Sequence, residues 1–205
     1  MVNEVRIYAE GGGDGKDTKA SIRRRFGEFL RELRGLARER RIRWNIIACG
    51  PRNAVFDAFR TALRTHTDAF NILLVDGEGP VNRTPWEHLK KRDGWDRPGV
   101  PDEQCHLMVQ MMEAWIVADI NAIESYYGTG FRRHAIPSRN DVEAIDKATL
   151  ERSLDNATRY TRKGLYHKIH HGSALLCRIN PEIVRSKAPH CERLFATLET
   201  KIGDD

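Results

Sequence analysis

The chain has 205 residues, of which 40% are hydrophobic and 31% charged, and its net charge is +5 at pH 7. This composition predicts a soluble globular protein, because no apolar run approaches the roughly 20 residues that cross a bilayer. Charges at Glu4 and Arg6 interrupt the first apolar run, so we expect no signal peptide and a cytoplasmic location. The four cysteines form no CxxC pair, which argues against a zinc ribbon or a disulfide framework.

The first predicted element is a strand over residues 4–9, in which apolar and polar residues alternate. Glu10 ends this strand, and a glycine-rich turn follows over Gly11–Gly15. The turn is not a Walker loop, which needs Ser or Thr after Lys16, and not a dinucleotide fingerprint, which needs glycine in place of Lys16. The glycines would instead let the backbone approach a ligand, with Lys16 offering its charge to a phosphate.

An amphipathic helix is predicted from residue 17 or 18 to residue 41, with an arginine-rich polar face. Arg23 and Arg24 on this face could grip a phosphate backbone, although the interspersed glutamates also fit an ordinary solvated face. A strand over 43–48, a further helix and an uninterrupted apolar strand over 70–75 follow. The order β-α-β-α-β indicates an α/β fold with a parallel sheet flanked by helices.

The strand over 70–75 stops at Asp76-Gly77-Glu78. Two carboxylates two residues apart project to the same side of an extended chain and could share a cation, whereas a plain Asp-Gly turn is the ordinary interpretation. Ligands of open α/β sheets bind beyond the carboxyl ends of the strands. We therefore expect Glu10, Asp76 and Glu78 to converge there, and a divalent cation to relieve their mutual repulsion.

Residues 79–103 are predicted to form a long irregular connection with one short helix at 85–92, either a lid or a passive loop. A fourth strand is predicted over 106–112, with a helix beginning near Glu113. Glu113 would then be a third acid at a strand end. Asp119 would either serve the site or cap a break in this helix.

From residue 146 onward the pattern is helical, with helices predicted over 147–159, 166–179 and 188–202. The segment from Lys163 to Ser173, which leads into the second of these helices, concentrates basic residues and histidines. His167, His170 and His171 have helical spacing that would let two of them bind a metal, but a third and fourth ligand are not evident. Contact with phosphate or an ordinary wet surface explains them as well. Ser186, His190 and Cys191 form no nucleophile triad, because a nucleophile elbow is missing.

Several spaced motifs together resemble a bacterial family of unknown function in the Toprim-like superfamily. They extend over nearly the whole chain and comprise Tyr8–Asp14, Leu73–Gly79, Met108–Asp119, Lys163–Gly172 and Ser186–His190. The resemblance implies a Toprim-like α/β core over residues 1–127. It also implies a helical C-terminal extension over 128–205 that packs on this core as a single compact unit.

Toprim domains surround Mg²⁺ with a glutamate after the first strand and a DxD pair after the third. Glu10 matches the glutamate and Asp76 the first aspartate, whereas Glu78 replaces the second aspartate and lengthens that side chain. The resemblance therefore implies a Mg²⁺ (or Mn²⁺) site held by Glu10, Asp76 and Glu78, to which we add Glu113. It also implies an ATPase partner of the structural-maintenance-of-chromosomes type and a role in phage defence or genome maintenance.

Two functions remain open from the sequence. The first is a Mg²⁺-dependent nuclease acting on DNA or RNA, in which Glu10, Asp76, Glu78 and Lys168 are the catalytic group. Its nucleic-acid-binding residues would be Lys16, Arg23, Arg24, Lys163, His171 and His190. The second is a non-catalytic nucleic-acid-binding or regulatory subunit of an ATPase complex, since a fold does not by itself determine a function. Nucleotidyl transfer is a third alternative, for which the sequence indicates no nucleotide site.

Overall fold

The computed structural model of the protein describes residues 2–11 and 16–203, except for the side chains of Lys16 and Thr18. The phosphate contact predicted for Lys16, and the glycines predicted to approach a ligand at positions 12, 13 and 15, lie outside the described residues. In the part of the chain that is described, no helix is long and apolar enough to span a bilayer.

The centre of the fold is a four-stranded parallel sheet, which confirms the predicted α/β class. Its strands are β1 (Glu4–Glu10), β2 (Arg43–Gly50), β3 (Ala69–Asp76) and β4 (Cys105–Met108), in the spatial order β2-β1-β3-β4. Each neighbouring pair is parallel. The prediction of a fourth strand over 106–112 was wrong at its end, because the chain leaves the sheet after Met108 and a helix begins at Met112.

Helices cover both faces of the sheet and form the C-terminal region. They are α1 (Lys16–Phe29), α2 (Arg31–Glu39), α3 (Arg52–Thr65), α4 (Pro85–Asp93), α5 (Met112–Ala118), α6 (Ile120–Tyr127), α7 (Lys147–Thr158), α8 (His170–Leu176), α9 (Pro181–Lys187) and α10 (Pro189–Gly203). The predicted single helix up to residue 41 is two helices that meet at Leu30. The predicted helix over 166–179 is the shorter α8, and α9 was not predicted.

Alternate strand residues pack into two separate cores. Ile7 and Ile72 belong to the first core, which contains residues of α1, α2 and α5 to α10. Tyr8 and Leu73 belong to the second core, with residues of α3 and α4. Burial on both faces explains the uninterrupted apolar run over residues 72–75 of β3.

The C-terminal helices share the first core with the N-terminal part of the chain. The ring of Phe29 in α1 stacks on Trp115 of α5 at a centroid distance of 5.4 Å. The same ring meets Phe195 of α10 edge-on at 5.7 Å. One apolar interior therefore includes residues from both sides of the predicted boundary at 127/128.

The topology opens a crevice between the carboxyl ends of β1 and β3. These strands are neighbours, yet the helix after β1 packs into the first core and the helix after β3 packs into the second. Where the chains leave adjacent parallel strands toward opposite faces, the strand ends are left uncovered and ligands bind. The last residues of these two strands are Glu10 and Asp76.

Candidate active site

Glu10 and Asp76 lie side by side at the mouth of this crevice. Oε2 of Glu10 accepts a hydrogen bond from the backbone amide of Asp76 at 3.1 Å. Burial, and next the charge of Asp76, raise the pKa of Glu10 above its usual range. The two acids therefore meet as expected from their positions at strand ends, although 66 positions separate them.

Arg52, the first residue of α3, ties both acids to the fold. Its Nη1 donates to Oε2 of Glu10 at 2.8 Å and to the backbone carbonyl of Asp76 at 2.7 Å. Its Nε and Nη2 hold the two carboxylate oxygens of Asp93, each at 2.9 Å. The side chain is only 15% exposed, and the guanidinium carbon lies 5.2 Å from the ring centre of Trp95. The two-pronged contact with Asp93 fixes the guanidinium of Arg52, and the hydrogen bond from Nη1 then holds the carboxylate of Glu10 in position.

Asp76 connects the sheet to α5 and to the segment before α8. Its Oδ1 accepts the backbone amide of Met112 at 2.9 Å. Its Oδ2 lies 3.4 Å from Nζ of Lys168, and the same Nζ lies 3.7 Å from Oε2 of Glu113. Burial opposes the charge on Lys168, but the charges of Asp76 and Glu113 outweigh it and raise the pKa of the ammonium group. The Lys168 side chain is half exposed, so it can contact an incoming ligand.

Glu113 is a carboxylate in the interior of the protein, with a relative exposure of 1%. Its Oε1 accepts a hydrogen bond from the hydroxyl of Tyr166 at 2.9 Å. Its Oε2 is buried and has no hydrogen-bond partner within the described residues. Burial raises the pKa of both Glu113 and Tyr166. The Tyr166 hydroxyl therefore stays protonated and can donate its hydrogen bond to Glu113. A buried acid with an unused oxygen is typical of a functional site.

Glu78 is held in a backbone conformation that non-glycine residues seldom adopt, with φ at +61°. Its amide donates to the carbonyl of Gln110, which helps to hold this conformation. Its carboxylate is turned toward Lys147, whose Nζ lies 2.5 Å from Oε2. Burial acts against ionisation, but the hydrogen bond and charge of Lys147 lower the pKa of Glu78. Lys147 was not among the predicted site residues.

The arginine-rich polar face predicted for the first helix included Arg25, and this part of the prediction was wrong, because Arg25 is buried. Its residue exposure is 7%, its Nη1 donates to Oγ of Ser173 at 3.3 Å, and its Nε has no partner within the described chain. Burial lowers the pKa of Arg25, while the charges of Asp76 and Glu113 act in the opposite direction, so the guanidinium lies within the field of both acids. Gly11 permits this approach, because a Cβ there would lie 3.2 Å from Nη2 of Arg25 on a backbone with φ of +116°.

Among the residues predicted to bind nucleic acid, those with described side chains do not contact Glu10, Asp76, Glu78 or Glu113. Arg23 and Arg24 are exposed on α1, Lys163 lies over the ring of Tyr126 at 5.0 Å, and Nδ1 of His171 lies 2.8 Å from the Tyr127 hydroxyl. His190 is paired with Glu143, its Nδ1 lying 2.6 Å from Oε2.

Asp119 has the capping role of the two predicted alternatives. Its Oδ1 accepts the amide of Ala122 in the first turn of α6 at 3.2 Å, and its Oδ2 accepts the amide of Asn180 at 2.9 Å. Both carboxylate oxygens are therefore engaged in holding helix ends in place.

The carboxylates provide the hard oxygen atoms that Mg²⁺ prefers, and Oε2 of Glu113 has no hydrogen bond with a described residue but lies 3.7 Å from Nζ of Lys168. Within the described ranges, no three His, Cys, Asp or Glu side chains already stand close enough to hold a metal ion. Instead, each acid contacts a cation of the chain: Glu10 contacts Arg52, Glu78 contacts Lys147, and Asp76 and Glu113 share Lys168. Asp76 and Glu113 therefore offer oxygen atoms of the kind that Mg²⁺ accepts, at a place that Nζ of Lys168 now fills.

Replacement of Glu113 by glutamine should stabilise the protein at neutral pH. Because the folded-state pKa of Glu113 is raised from its usual value near 4.5, the folded state binds more protons than the unfolded state above that pH, and stability falls as pH rises. Glu113→Gln removes this loss and keeps an oxygen for the Tyr166 hydroxyl. Urea unfolding at pH 5 and pH 8 should show a stabilisation that is larger at pH 8.

The matched control for this change is Glu151→Gln, since Glu151 is exposed on α7. We expect no pH-dependent difference in its free energy of unfolding. A Glu113→Gln protein that is less stable than the parent at pH 8 would mean that the ionised carboxylate serves the fold.

Comparison with known proteins gives a family match over most of the chain. A family model described as a domain of unknown function (DUF4276) matches residues 9–199. This range contains Glu10, Asp76, Glu113 and Lys168. No curated protein and no solved structure matches the chain.

Proposed function

The chain belongs to the DUF4276 family, whose description assigns no activity, and we propose from the site itself that it is a Mg²⁺-dependent hydrolase of phosphodiester bonds in nucleic acid. The observation that carries the proposal is the placing of Glu10 and Asp76 at adjacent strand ends of a parallel sheet, with the buried Glu113 linked to Asp76 through Lys168. Acids at this edge beside the buried Arg25 and the half-exposed Lys168 suit a ligand that brings both a metal and a phosphate.

The roles of the residues follow from their contacts. Glu10, Asp76 and Glu113 would hold the metal, with Glu78 at the rim. Mg²⁺, when bound, would lower the pKa of a water molecule and offset charge on the phosphate. Lys168 is half exposed and would leave Asp76 to meet a phosphate oxygen. Arg52 keeps Glu10 in place, and Arg25 adds positive charge from below the site.

The choice of nucleic acid as substrate is supported by the positive net charge of the chain and by the resemblance to Toprim domains. The chain carries a net charge of +5, which favours polyanionic partners. On the resemblance alone, the proposal extends to an ATPase partner and to phage defence or genome maintenance.

A specific observation favours a second candidate function, a non-catalytic nucleic-acid-binding or regulatory subunit. Each acid of the site is already compensated by an internal cation. A site with these pairs is electrostatically stable without a metal, as a structural ion-pair network would be.

A cleavage assay separates the two candidates. The purified full chain is incubated with supercoiled DNA, single-stranded DNA and RNA, each with Mg²⁺, Mn²⁺ or EDTA. We expect cleavage that requires a divalent cation and is absent in Glu10→Gln, because this change removes the acid at the end of β1 while keeping an acceptor for the Asp76 amide.

Glu151→Gln again serves as the matched control and should cleave at the parental rate. Cleavage that persists in Glu10→Gln or in EDTA would contradict the hydrolase. Binding of nucleic acid without cleavage under any metal would favour the non-catalytic subunit.

A further inference from the structure

The segment that brings Tyr166 and Lys168 to the site also exposes apolar side chains. Tyr160, Leu165 and Ile169 are 60%, 54% and 44% exposed, and they are the large hydrophobic residues that the described chain leaves open to solvent. All three lie between α7 and α8, within ten residues of one another. A cluster of this kind marks an interaction surface.

The same segment is strongly basic. Residues 159–171 contain Arg159, Arg162, Lys163 and Lys168 and no acidic residue, so their formal charge is +4 with histidine neutral. Arg162 and Lys163 are exposed, and neither makes an ion pair with a described residue. Unpaired cations beside exposed apolar groups are complementary to a ligand that is anionic and apolar at once.

Tyr160 is held as a fixed platform. The guanidinium carbon of Arg132 lies 4.0 Å from the centre of its ring, which covers one face and leaves the ring 60% exposed. The backbone at Tyr160 packs closely against Gly130, where a Cβ would lie only 2.3 Å from the carbonyl oxygen of Tyr160. An exposed aromatic ring with an arginine over one face has its other face available for a planar group such as a nucleobase.

A cavity of about 600 Å³ lies beside this platform and is lined by Tyr126, Tyr127, Arg162 and Lys163, among others. The ring of Tyr126 has Nζ of Lys163 at 5.0 Å and the guanidinium carbon of Arg178 at 5.2 Å from its centre. Aromatic rings and cations therefore alternate across the surface. We call Tyr126, Arg132, Tyr160, Arg162, Lys163, Leu165 and Ile169 the basic aromatic surface.

We propose that the basic aromatic surface binds single-stranded nucleic acid, so that the substrate of the hydrolase is an unpaired strand. A duplex offers only phosphates to such a surface, because its bases are stacked on each other, and would leave Tyr160, Leu165 and Ile169 without partners. An unpaired strand offers bases to the rings and phosphates to the cations. Lys168 lies on the same segment and reaches Asp76, so a strand held here leads toward the acids. The placement of cleavage rests on the proposed function, whereas the binding does not.

The test measures binding without catalysis. Fluorescence anisotropy in EDTA measures the affinity of the full chain for a labelled 20-nucleotide single strand, as DNA and as RNA. The same measurement is made with the duplex of the same sequence. We expect the single strand to bind at least about fivefold more tightly than the duplex, and Tyr160→Ala to weaken single-strand binding at least about fivefold, the smallest effect of losing one stacked base.

Three variants sharpen the result. Tyr160→Trp should retain single-strand affinity, because it keeps an aromatic ring. Arg162→Ala should weaken binding to both forms and reduce its salt dependence. Arg64→Ala is the matched control, since Arg64 is exposed on α3, against the other face of the sheet, and should bind as the parent does.

Equal affinity for the single strand and the duplex would overturn the proposal, as would unchanged binding by Tyr160→Ala. Absence of binding to any nucleic acid, with self-association that Tyr160→Ala abolishes, would also overturn it and identify the surface as a protein interface. Single-strand binding without metal-dependent cleavage would contradict only the hydrolase, whereas cleavage confined to duplexes would contradict only this inference.

Discussion

Replacement of Arg52 by methionine is expected to lower the free energy of unfolding by about 3–5 kcal/mol, the usual cost of removing one partner from a buried ion pair. Methionine keeps an apolar stem of similar length but leaves Glu10 and Asp93 without their shared cation. These two carboxylates are only 16% and 10% exposed, so water replaces the guanidinium poorly. Urea unfolding followed by circular dichroism would measure the loss.

Two further variants make the Arg52 result interpretable. Arg52→Lys keeps the charge, but an ammonium group cannot bind both oxygens of Asp93 together with Oε2 of Glu10 and the carbonyl of Asp76. The free energy of unfolding of Arg52→Lys should therefore lie between the values of the parent and of Arg52→Met. Arg64→Met changes an exposed arginine of the same helix and should alter stability by less than about 0.5 kcal/mol. A loss below about 1 kcal/mol in Arg52→Met would show that the network contributes little to the fold.

Replacement of Asp76 by asparagine is expected to reduce metal-dependent cleavage by more than about 100-fold, since even the outer partners of metal ligands contribute about 10- to 100-fold. The change is almost isosteric, and the new Oδ1 can still accept the amide of Met112. It also removes the charge that raises the pKa of Glu10. The fold should therefore remain intact while the chemistry is lost.

Single-turnover rates with Mg²⁺, measured beside urea unfolding of the same samples, would test this separation of activity from stability. Asp57→Asn is the matched control, because Asp57 is an exposed aspartate of α3, and it should retain the parental rate. An Asp76→Asn protein that cleaves within about tenfold of the parent would exclude Asp76 from the reacting centre.

The position of the acids could be predicted because it depends on local pattern and on one rule of topology. Glu10 and Asp76 each follow an apolar run directly, and parallel strands place such residues at one edge. The α/β class followed from the same alternation of strands and helices. The break at Leu30 could not be predicted, because the apolar spacing and the backbone hydrogen bonds continue across it.

The partners of the acids were harder to predict because their contacts are distant in sequence. Arg52 and Glu10 are 42 positions apart, Tyr166 and Glu113 are 53 apart, and Lys147 and Glu78 are 69 apart. Nothing in hydrophobic periodicity encodes such pairs.

Two features did carry a signal in the sequence. Arg25 lies three residues after Ile22 and four before Phe29, on the apolar face of its helix, where an arginine requires an explanation. The start of α9 is marked by Asn180, whose side chain caps the helix, followed by Pro181.

The contacts of the Phe29 ring with Trp115 and with Phe195 join the C-terminal helices to the rest of the molecule. A truncated fragment ending near residue 127 would keep the strands and their acids but would expose to water the apolar residues of α1 and α5 that pack on the C-terminal helices. It would also lose Lys168 and Tyr166, which reach the acids from beyond that point. The crevice is therefore completed only after synthesis of the chain has passed Lys168, so a half-made protein on the ribosome carries the carboxylates without the groups that complete the site.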